Sequence, residues 1–367
     1  MILHAPTGLA GAEGVILNIN RFMDPERIRL FNCPFINFSR GESAYLKELE
    51  KRGIPYDATP LIRRFEYRYV SATRELIRKH GIDLIHSHGY RSDITALLAS
   101  GGRTPVVAMM HGFTASSFKV KVYEALERII LKRMAMVIPV SAQMKTLALG
   151  MGISEEKVRL LPNVVDNITL DKIKPSAVFD EMALSPDVLK MAFVGRISPE
   201  KGLNLLLDAC SALKKEGVKF FLMIAGDGPL KNDMEEKAKH LGLSDNVRFL
   251  GFRSDAPAIT SAADVFLLPS LTEGIPLVVL ESMAVGTPVI ASMVGGVPDL
   301  IKNRETGYLF PPGNTEELTE CIRNVYINRL QARKMSERAK EFVNSNYSPS
   351  KWAEELTSIY LKAANRI

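Results

Sequence analysis

The stretch Ser270–Asp299, SLTEGIPLVVLESMAVGTPVIASMVGGVPD, follows a short apolar run, DVFLLPS, passes through an apolar helix-like segment and closes on a second short run, PVIAS. A strand, a helix and a strand in that succession imply parallel strands joined by a helical crossover. The same stretch sets two glutamates around the helix start, Glu273 before it and Glu281 inside it. Pro276 supplies a preset φ for a first turn whose N–H groups have no internal partner, and Gly274 lets the backbone come close to whatever those groups bind. That is the design of an anion site. The N–H groups of Ile275, Leu277 and Val278 are its candidate donors, since Pro276 has none to give.

The pattern extends outward in both directions. Towards the N-terminus run ILHA then GVILNINRF, DLIHSH then SDITALLAS, PVVAMMH then FKVKVYEALERIILKRM, and MVIPVS then AQMKTLALGM. After the weakly organised span Asp166–Asp187, with Pro175 and Pro186, it restarts. There follow MAFVGRI then LNLLLDACSAL, FFLMIAG then LKNDMEEKAKHLGL, VRFLGF, and the quoted stretch. Short buried strands alternating with amphipathic helices predict two doubly wound α/β domains, residues 1–168 and 169–347. Ser348–Ile367 reads as a terminal amphipathic helix with Trp352, Leu356 and Leu361 on one side. Open sheets of this kind bind ligands beyond the carboxyl ends of their strands, so motifs at strand ends are where function is sought.

A length of 367 residues exceeds what one core usually fills, in keeping with two domains. A composition 46% hydrophobic and 24% charged excludes disorder and fibrous repeats. The net charge of +6 suits a phosphate-bearing partner or an anionic lipid surface without choosing between them. Basic residues crowd Ile62–Arg68 and Lys119–Arg133, where a membrane-docking face and a solvated helix face are both open readings. Only Cys33, Cys210 and Cys321 are present, so neither a disulfide framework nor a metal knuckle is expected and a reducing cytoplasm fits. MILHAPTG lacks the pattern of a signal peptide, and no apolar run approaches the roughly 18 residues that span a bilayer.

E-G-I-P-L-V-V-L-E, with G-T-P-V-I-A after it, resembles the donor-site signature of the retaining glycosyltransferases of family 4. The resemblance is most specific from Phe193 to Gly313. It implies the architecture called GT-B, two Rossmann-like domains facing across a cleft. The acceptor-side domain would come first, the nucleotide-sugar domain second, and the final helix, 348–367, would pack back on the first domain. It also assigns roles. Glu281 would bind the ribose hydroxyls and Glu273 hydroxyls of the donor sugar, tasks suited to a carboxylate that accepts from two vicinal hydroxyls. In F-V-G-R-I-S-P-E-K-G-L, Arg196 and Lys201 would stabilise the charge growing on a leaving diphosphate. A lone Arg and Lys on a strand-to-helix loop are more often a surface pair, but here the spacing matches the family pattern. Helix-dipole decoration is the bland alternative for the glutamates.

Weaker signals follow. Gly8, Gly11 and Gly14 open the first helix as G-x-x-G-x-x-G, and Ala10-Gly11-Ala12-Glu13 stands where the family shows Gly-Gly-Ala-Glu. His111 ends a buried strand and by resemblance faces the donor sugar, whereas His86 and His88 are expected in a supporting or acceptor-side place. Gly226, Asp227 and Gly228 form a strand-end turn near the nucleotide. Phe252 and Arg253 resemble the segment whose backbone reads the base, and Asn163 either lines the cleft or makes a turn.

The resemblance thus implies transfer of a hexosyl group from a nucleoside-diphosphate sugar, uridine being the expected base, to a saccharide or lipid-linked hydroxyl with retained configuration. The setting would be polysaccharide or glycolipid synthesis in the cytoplasm, with peripheral contact on an anionic membrane and no nucleic-acid partner. No cofactor and no metal are expected, since the chain has no Asp-x-Asp triplet. Glycogen-synthase-like or sucrose-phosphate-synthase-like transfer is the nearest enzymatic alternative, the former opposed by a loop at Thr7–Ala10 without lysine or paired glycines. A nucleotide-sugar sensor, a membrane-associated scaffold and a sugar epimerase on a similar fold are the others.

Overall fold

The computed structural model describes residues 1–6, 11–37, 43–60, 67–111 and 128–365. Gly8 and most of the two basic runs, at 62–66 and 119–127, fall outside them. The chain divides into two compact units, Met1–Val164 with Pro349–Ile367, and Val165–Ser348. The passage between them comes at Val164 and Val165, slightly before the division expected at residue 168.

The first unit carries six strands: β1 (Ile2–His4), β2 (Asn32–Ile36), β3 (Thr59–Pro60), β4 (Ile85–His88), β5 (Val106–Met110) and β6 (Met136–Pro139). They form one parallel sheet in the order β3-β2-β1-β4-β5-β6. The second unit has β7 (Leu189–Val194), β8 (Phe220–Ala225), β9 (Val247–Gly251), β10 (Val265–Leu268), β11 (Val289–Ser292) and β12 (Tyr308–Phe310). Their order is β12-β11-β10-β7-β8-β9, again parallel throughout. Numbered from its own first strand, each sheet has the same order. Both are doubly wound, with the direction of winding reversing beside the first strand, between β1 and β4 and between β7 and β10.

The second core shows why these runs are strands. Leu189, Met191 and Phe193 of β7 enter one apolar cluster, with Leu222 and Ile224 of β8 and with Leu206, Leu207 and Cys210 of the helix Leu203–Lys215. Ala192 enters a different cluster, with Phe221, Met223 and Ala225 of β8. Successive side chains point to opposite faces of a strand, and both faces are covered, so the sequence is apolar without interruption.

Three strands are absent from the alternation read in the sequence. β2 contains Pro34, which argues against a strand in a linear reading, and β3 and β12 are too short to show a period. The helices Ala44–Lys51 and Tyr67–His80 that follow β2 and β3 went unread with them.

The terminal helix Pro349–Ala364 belongs to the first unit and packs beside the helix Gly11–Phe22 and β5. Trp352, Leu356, Ile359, Tyr360 and Ala363 are buried. Leu361 is 45% exposed, which corrects its placing beside Trp352 and Leu356. Nine positions beyond Trp352 amount to about half a turn around the axis, so the two residues lie on opposite sides. The three cysteines are buried and unbridged. Among the described residues no helix is long and apolar enough to cross a membrane.

Leu356→Ala should therefore lower the stability of the first unit by about 2–5 kcal/mol, while Leu361→Ala should change it by less than about 0.5 kcal/mol. Thermal unfolding of the two variants beside the parent checks this, and equal shifts would contradict the assigned face.

Candidate functional site

In the second unit the carboxyl ends of β7 and β10 flank the reversal of winding, where an open parallel sheet leaves room for a ligand. β7 runs on through Gly195 and Arg196 into a short turn, Pro199–Lys201, and then the helix Leu203–Lys215. β10 runs on through Ser270 to Glu273. The two loops meet: Lys201 Nζ lies 2.6 Å from Glu273 Oε1, and the Ser270 hydroxyl donates to the same oxygen at 2.7 Å. The side chains are 22% and 8% exposed, so this is not a solvated surface pair of the kind that contributes little. Arg196 is exposed and makes no ion pair among the described residues. A lysine ammonium has three donors, of which the structure directs one at Glu273. Ser270 is fully buried and was not singled out in the sequence. Its only linear signal is its place three residues before Glu273.

Backbone approach makes this meeting attainable. Gly202 has φ +64° and lies where a Cβ would overlap the Pro269 carbonyl, and Leu271 N–H donates to Glu200 O at 2.7 Å. Gly295, after β11, has φ +58°, and a Cβ there would strike the Glu273 carbonyl, while Gly296 N–H donates to Gly274 O at 2.7 Å. Gly226 likewise sits against the Gly195 carbonyl, closing the β8 turn onto the Arg196 loop. Positive φ and contact distance together leave glycine as the one residue that fits.

The helix begins one residue later than expected. It spans Leu277–Ala284, and Pro276 caps it with φ −73° and ψ 114° instead of forming its first turn. Proline restricts the preceding residue but fits an extended cap as well as a helical start. Val279 N–H bonds back to Pro276 O at 3.1 Å. The opening N–H groups of Leu277 and Val278 have no carbonyl one turn behind them within the helix. Ile275 is buried beneath this start. Glu281 sits in the second turn, beyond the reach of ordinary first-turn dipole decoration. Burial raises its carboxyl from the usual range to about 7. Phe252 is 53% exposed after β9, and Arg253 holds Asp255 through two bonds of 2.7 and 2.6 Å, which commits that guanidinium to its own loop.

The corresponding edge of the first unit is lined with imidazoles. His4 at the end of β1 pairs with His88 at the end of β4, and His111 directly follows β5. His4 Nε2 lies 3.1 Å from Glu13 Oε1, with both residues buried, so the Ala10–Glu13 motif delivers a carboxylate to the end of β1. His88 Nδ1 and His111 Nε2 are 2.9 Å apart with the rings stacked, and His86 Nδ1 meets the Tyr360 hydroxyl at 2.6 Å. Burial lowers His86 to about 3 and His111 to about 4, and takes His88 well below its usual value. These three rings are neutral at pH 7. Gly11 opens the helix Gly11–Phe22 with open space where a Cβ would stand. Asn163 is buried at the end of the first unit, where Asn18 donates to the neighbouring Val164 carbonyl at 2.7 Å. Among the described residues no three His, Cys, Asp or Glu side chains are grouped as a metal site would require. The structure thus joins Lys201 to Glu273 and His88 to His111, while Arg196, Phe252 and Arg253 stand on neighbouring strand-end loops without touching that pair.

The model of the family described as Glycosyl transferases group 1 matches residues 178–342, and that of Glycosyltransferase Family 4 matches residues 11–167. The putative glycosyltransferase EpsF of Bacillus subtilis is 30% identical over 307 residues, which are 79% of this chain and 78% of that protein. A UDP-Gal:alpha-D-GlcNAc-diphosphoundecaprenol alpha-1,3-galactosyltransferase of Escherichia coli is 27% identical over 302 residues, 78% of this chain and 77% of its own. Among solved structures, Anabaena HepE in complex with UDP-glucose superposes with a TM-score of 0.85 at 22% identity, covering 97% of this chain and 98% of that one. At such identity the likeness is one of fold, the two-sheet GT-B type.

Two outcomes follow from the geometry. Gly295→Ala should push the Glu273–Gly274 backbone aside and destabilise the second unit by more than Gly242→Ala, where φ is +69° but the space is open and only the conformational cost of about 1–2 kcal/mol applies. Equal melting temperatures for the two variants would contradict the close approach. For Glu281, a folded value raised above the unfolded one means that stability present at low pH is lost as pH rises through about 7. Glu281→Gln should accordingly raise the melting temperature of the ligand-free protein at pH 8, by an amount corresponding to about 2 kcal/mol, and leave it unchanged near pH 4. A pH-independent difference would refute the burial argument.

Proposed function

Because the chain belongs to the glycosyltransferases of family 4, we propose that it moves a hexosyl group from a UDP-sugar to a hydroxyl of a saccharide or lipid-linked acceptor, in polysaccharide or glycolipid synthesis. The observation that carries this reading is the contact of Lys201 with Glu273 at the reversal of the second sheet. A cation for the leaving group and a carboxylate for sugar hydroxyls are held together by loops from β7 and β10, and a nucleotide sensor has no use for both. Uridine as the base is supported by the UDP-glucose bound to Anabaena HepE and by the UDP-Gal in the name of the Escherichia coli relative.

In the proposed reaction the bond between the anomeric carbon and the β-phosphate oxygen breaks, and the acceptor oxygen bonds to the same carbon on the same face. The acceptor proton passes to the departing phosphate oxygen, so configuration is retained without a nucleophilic side chain. Arg196 and the two remaining donors of Lys201 take up the charge on the diphosphate, together with the N–H groups at Leu277 and Val278. With that charge met by side chains and backbone, a divalent metal is dispensable. Glu273 accepts from hydroxyls of the transferred sugar and Glu281 from the ribose, and by the family resemblance His111 is a hydrogen-bonding partner of a sugar hydroxyl. Gly11, Gly226 and the backbone at Phe252 and Arg253 complete the donor contacts. A lipid-linked acceptor would bring the enzyme to the inner face of a membrane as a peripheral protein.

Thermal unfolding with UDP, GDP or ADP in the presence of EDTA tests the donor site, because binding to the folded state raises its melting temperature. UDP is expected to protect. Protection by GDP or ADP alone would replace the base, and protection by none would overturn the reading. Glu273→Ala should lower transfer by about 100-fold or more while UDP protection persists; turnover at the parent rate would remove its role.

A further inference from the structure

We propose that His88 is a positioning residue that fixes the tautomer of His111, holding its proton on Nδ1 so that His111 offers an N–H donor and not a basic lone pair. The inference uses three observations in the first unit. His88 Nδ1 and His111 Nε2 are 2.9 Å apart, so one proton lies between them. His88 Nε2 is buried and has no hydrogen-bond partner among the described residues. The His88 ring is held in a tight aromatic group, 4.3 Å from His86 and 5.2 Å from His111 between centroids, and its carbonyl accepts from His4 Nδ1 at 3.4 Å.

A neutral imidazole carries one N–H. If His111 donated from Nε2, His88 would accept at Nδ1 and its own proton would sit on Nε2, a buried N–H without an acceptor. Orphaned buried N–H groups are the rarer and costlier kind of unmet polar group. If His88 donates from Nδ1, its Nε2 is a bare lone pair, His111 accepts at Nε2, and the His111 proton occupies Nδ1. The second arrangement leaves no unpaired N–H on the buried His88 ring. The titratable groups around the pair are His4, Glu13 and His86. Burial keeps both rings neutral, so the argument holds at physiological pH.

The chemical consequence rests on the proposed contact of His111 with the donor sugar. A His111 whose free nitrogen is a donor stabilises an oxygen lone pair on the sugar and cannot deprotonate the acceptor. That agrees with the acceptor proton leaving on the diphosphate.

The test is made first on the unaltered protein. Labelling the six histidines with ¹⁵N and recording long-range proton–nitrogen correlations at pH 7 separates protonated from bare ring nitrogens, and His111→Gln identifies the His111 signals. The expected result is a protonated Nδ1 and a bare Nε2 in His111. A protonated Nε2 overturns the proposal. The variants add a readout that a packing role would not move. His88→Leu should release the His111 tautomer and lower kcat about tenfold with the donor KM nearly unchanged, whereas His88→Asn, whose amide N–H lies near the imidazole Nδ1, should restore both. An unchanged His111 tautomer in His88→Leu overturns the proposal as well. The reading of His111 as a sugar contact fails separately, if His111→Ala turns over at the parent rate, and the tautomer result stands apart from that.

Discussion

The closeness of four strand-end loops in the second unit is the constraint on which its chemistry depends. Gly202 against Pro269, Gly226 against Gly195 and Gly295 against Glu273 bring backbone to backbone at distances that exclude a Cβ. Such contacts cannot be reproduced by rotating a side chain, because both partners are main chain. Lys201 and Glu273 are therefore brought together by the frame itself. Their ion pair is 72 positions apart in sequence, yet Lys201 adjoins Gly202 and the Glu273 carbonyl is itself the group that Gly295 meets. Ser270 adds a hydroxyl on the same carboxylate oxygen and restricts it further.

The two sheets share one strand order and differ in what their carboxyl edges carry. At the edge of the second are a lysine, an exposed arginine, carboxylates and an uncapped helix start. At the edge of the first are buried neutral imidazoles, and a carboxylate, Glu13, already engaged by His4. A group that departs as a diphosphate needs cations and N–H dipoles where its charge grows, and a neutral sugar needs donors and acceptors without net charge. The same winding topology thus presents cations and N–H dipoles at one carboxyl edge and buried imidazoles at the other. Fold likeness at 22% identity could not have distinguished the two edges, since it follows the strands and not the residues at their ends.

How much of this was legible in sequence depends on the range over which each signal acts. Alternation of apolar runs is local, so β7, β8, β10 and β11 and the helices between them could be read directly. β2 was hidden by Pro34, and β12 by its length of three residues. On the terminal helix, the apolar character of Leu361 does not place it on the buried face, because nine positions beyond Trp352 is about half a turn around the axis. Glu273, Glu281 and Lys201 stand out in sequence through the resemblance of their motifs to the family pattern. The pairing of Lys201 with Glu273, the seat of Ser270 and the need for Gly295 do not, since the sequence does not say which loop carbonyl a glycine will meet. The engagement of His4 by Glu13 is of the same kind: the motif announces an acid, and only the folded chain shows that the His4 ring stands beside it.

Glu281 shows how stability and recognition pull against each other at this edge. Its carboxyl is raised to about 7 by desolvation, and no nearby cation offsets that burial. In the ligand-free protein, ionising it is a cost that grows with pH until the group is fully charged. A residue chosen for stability alone would be Gln or an apolar side chain of similar size. A carboxylate offsets that cost when two hydrogen-bond donors reach it together, as a vicinal diol can and an apolar neighbour cannot. Glu273, by contrast, is already paired with Lys201 and Ser270 in the ligand-free protein. Desolvation thus governs one carboxylate and a pre-formed contact the other, on the same short stretch of chain.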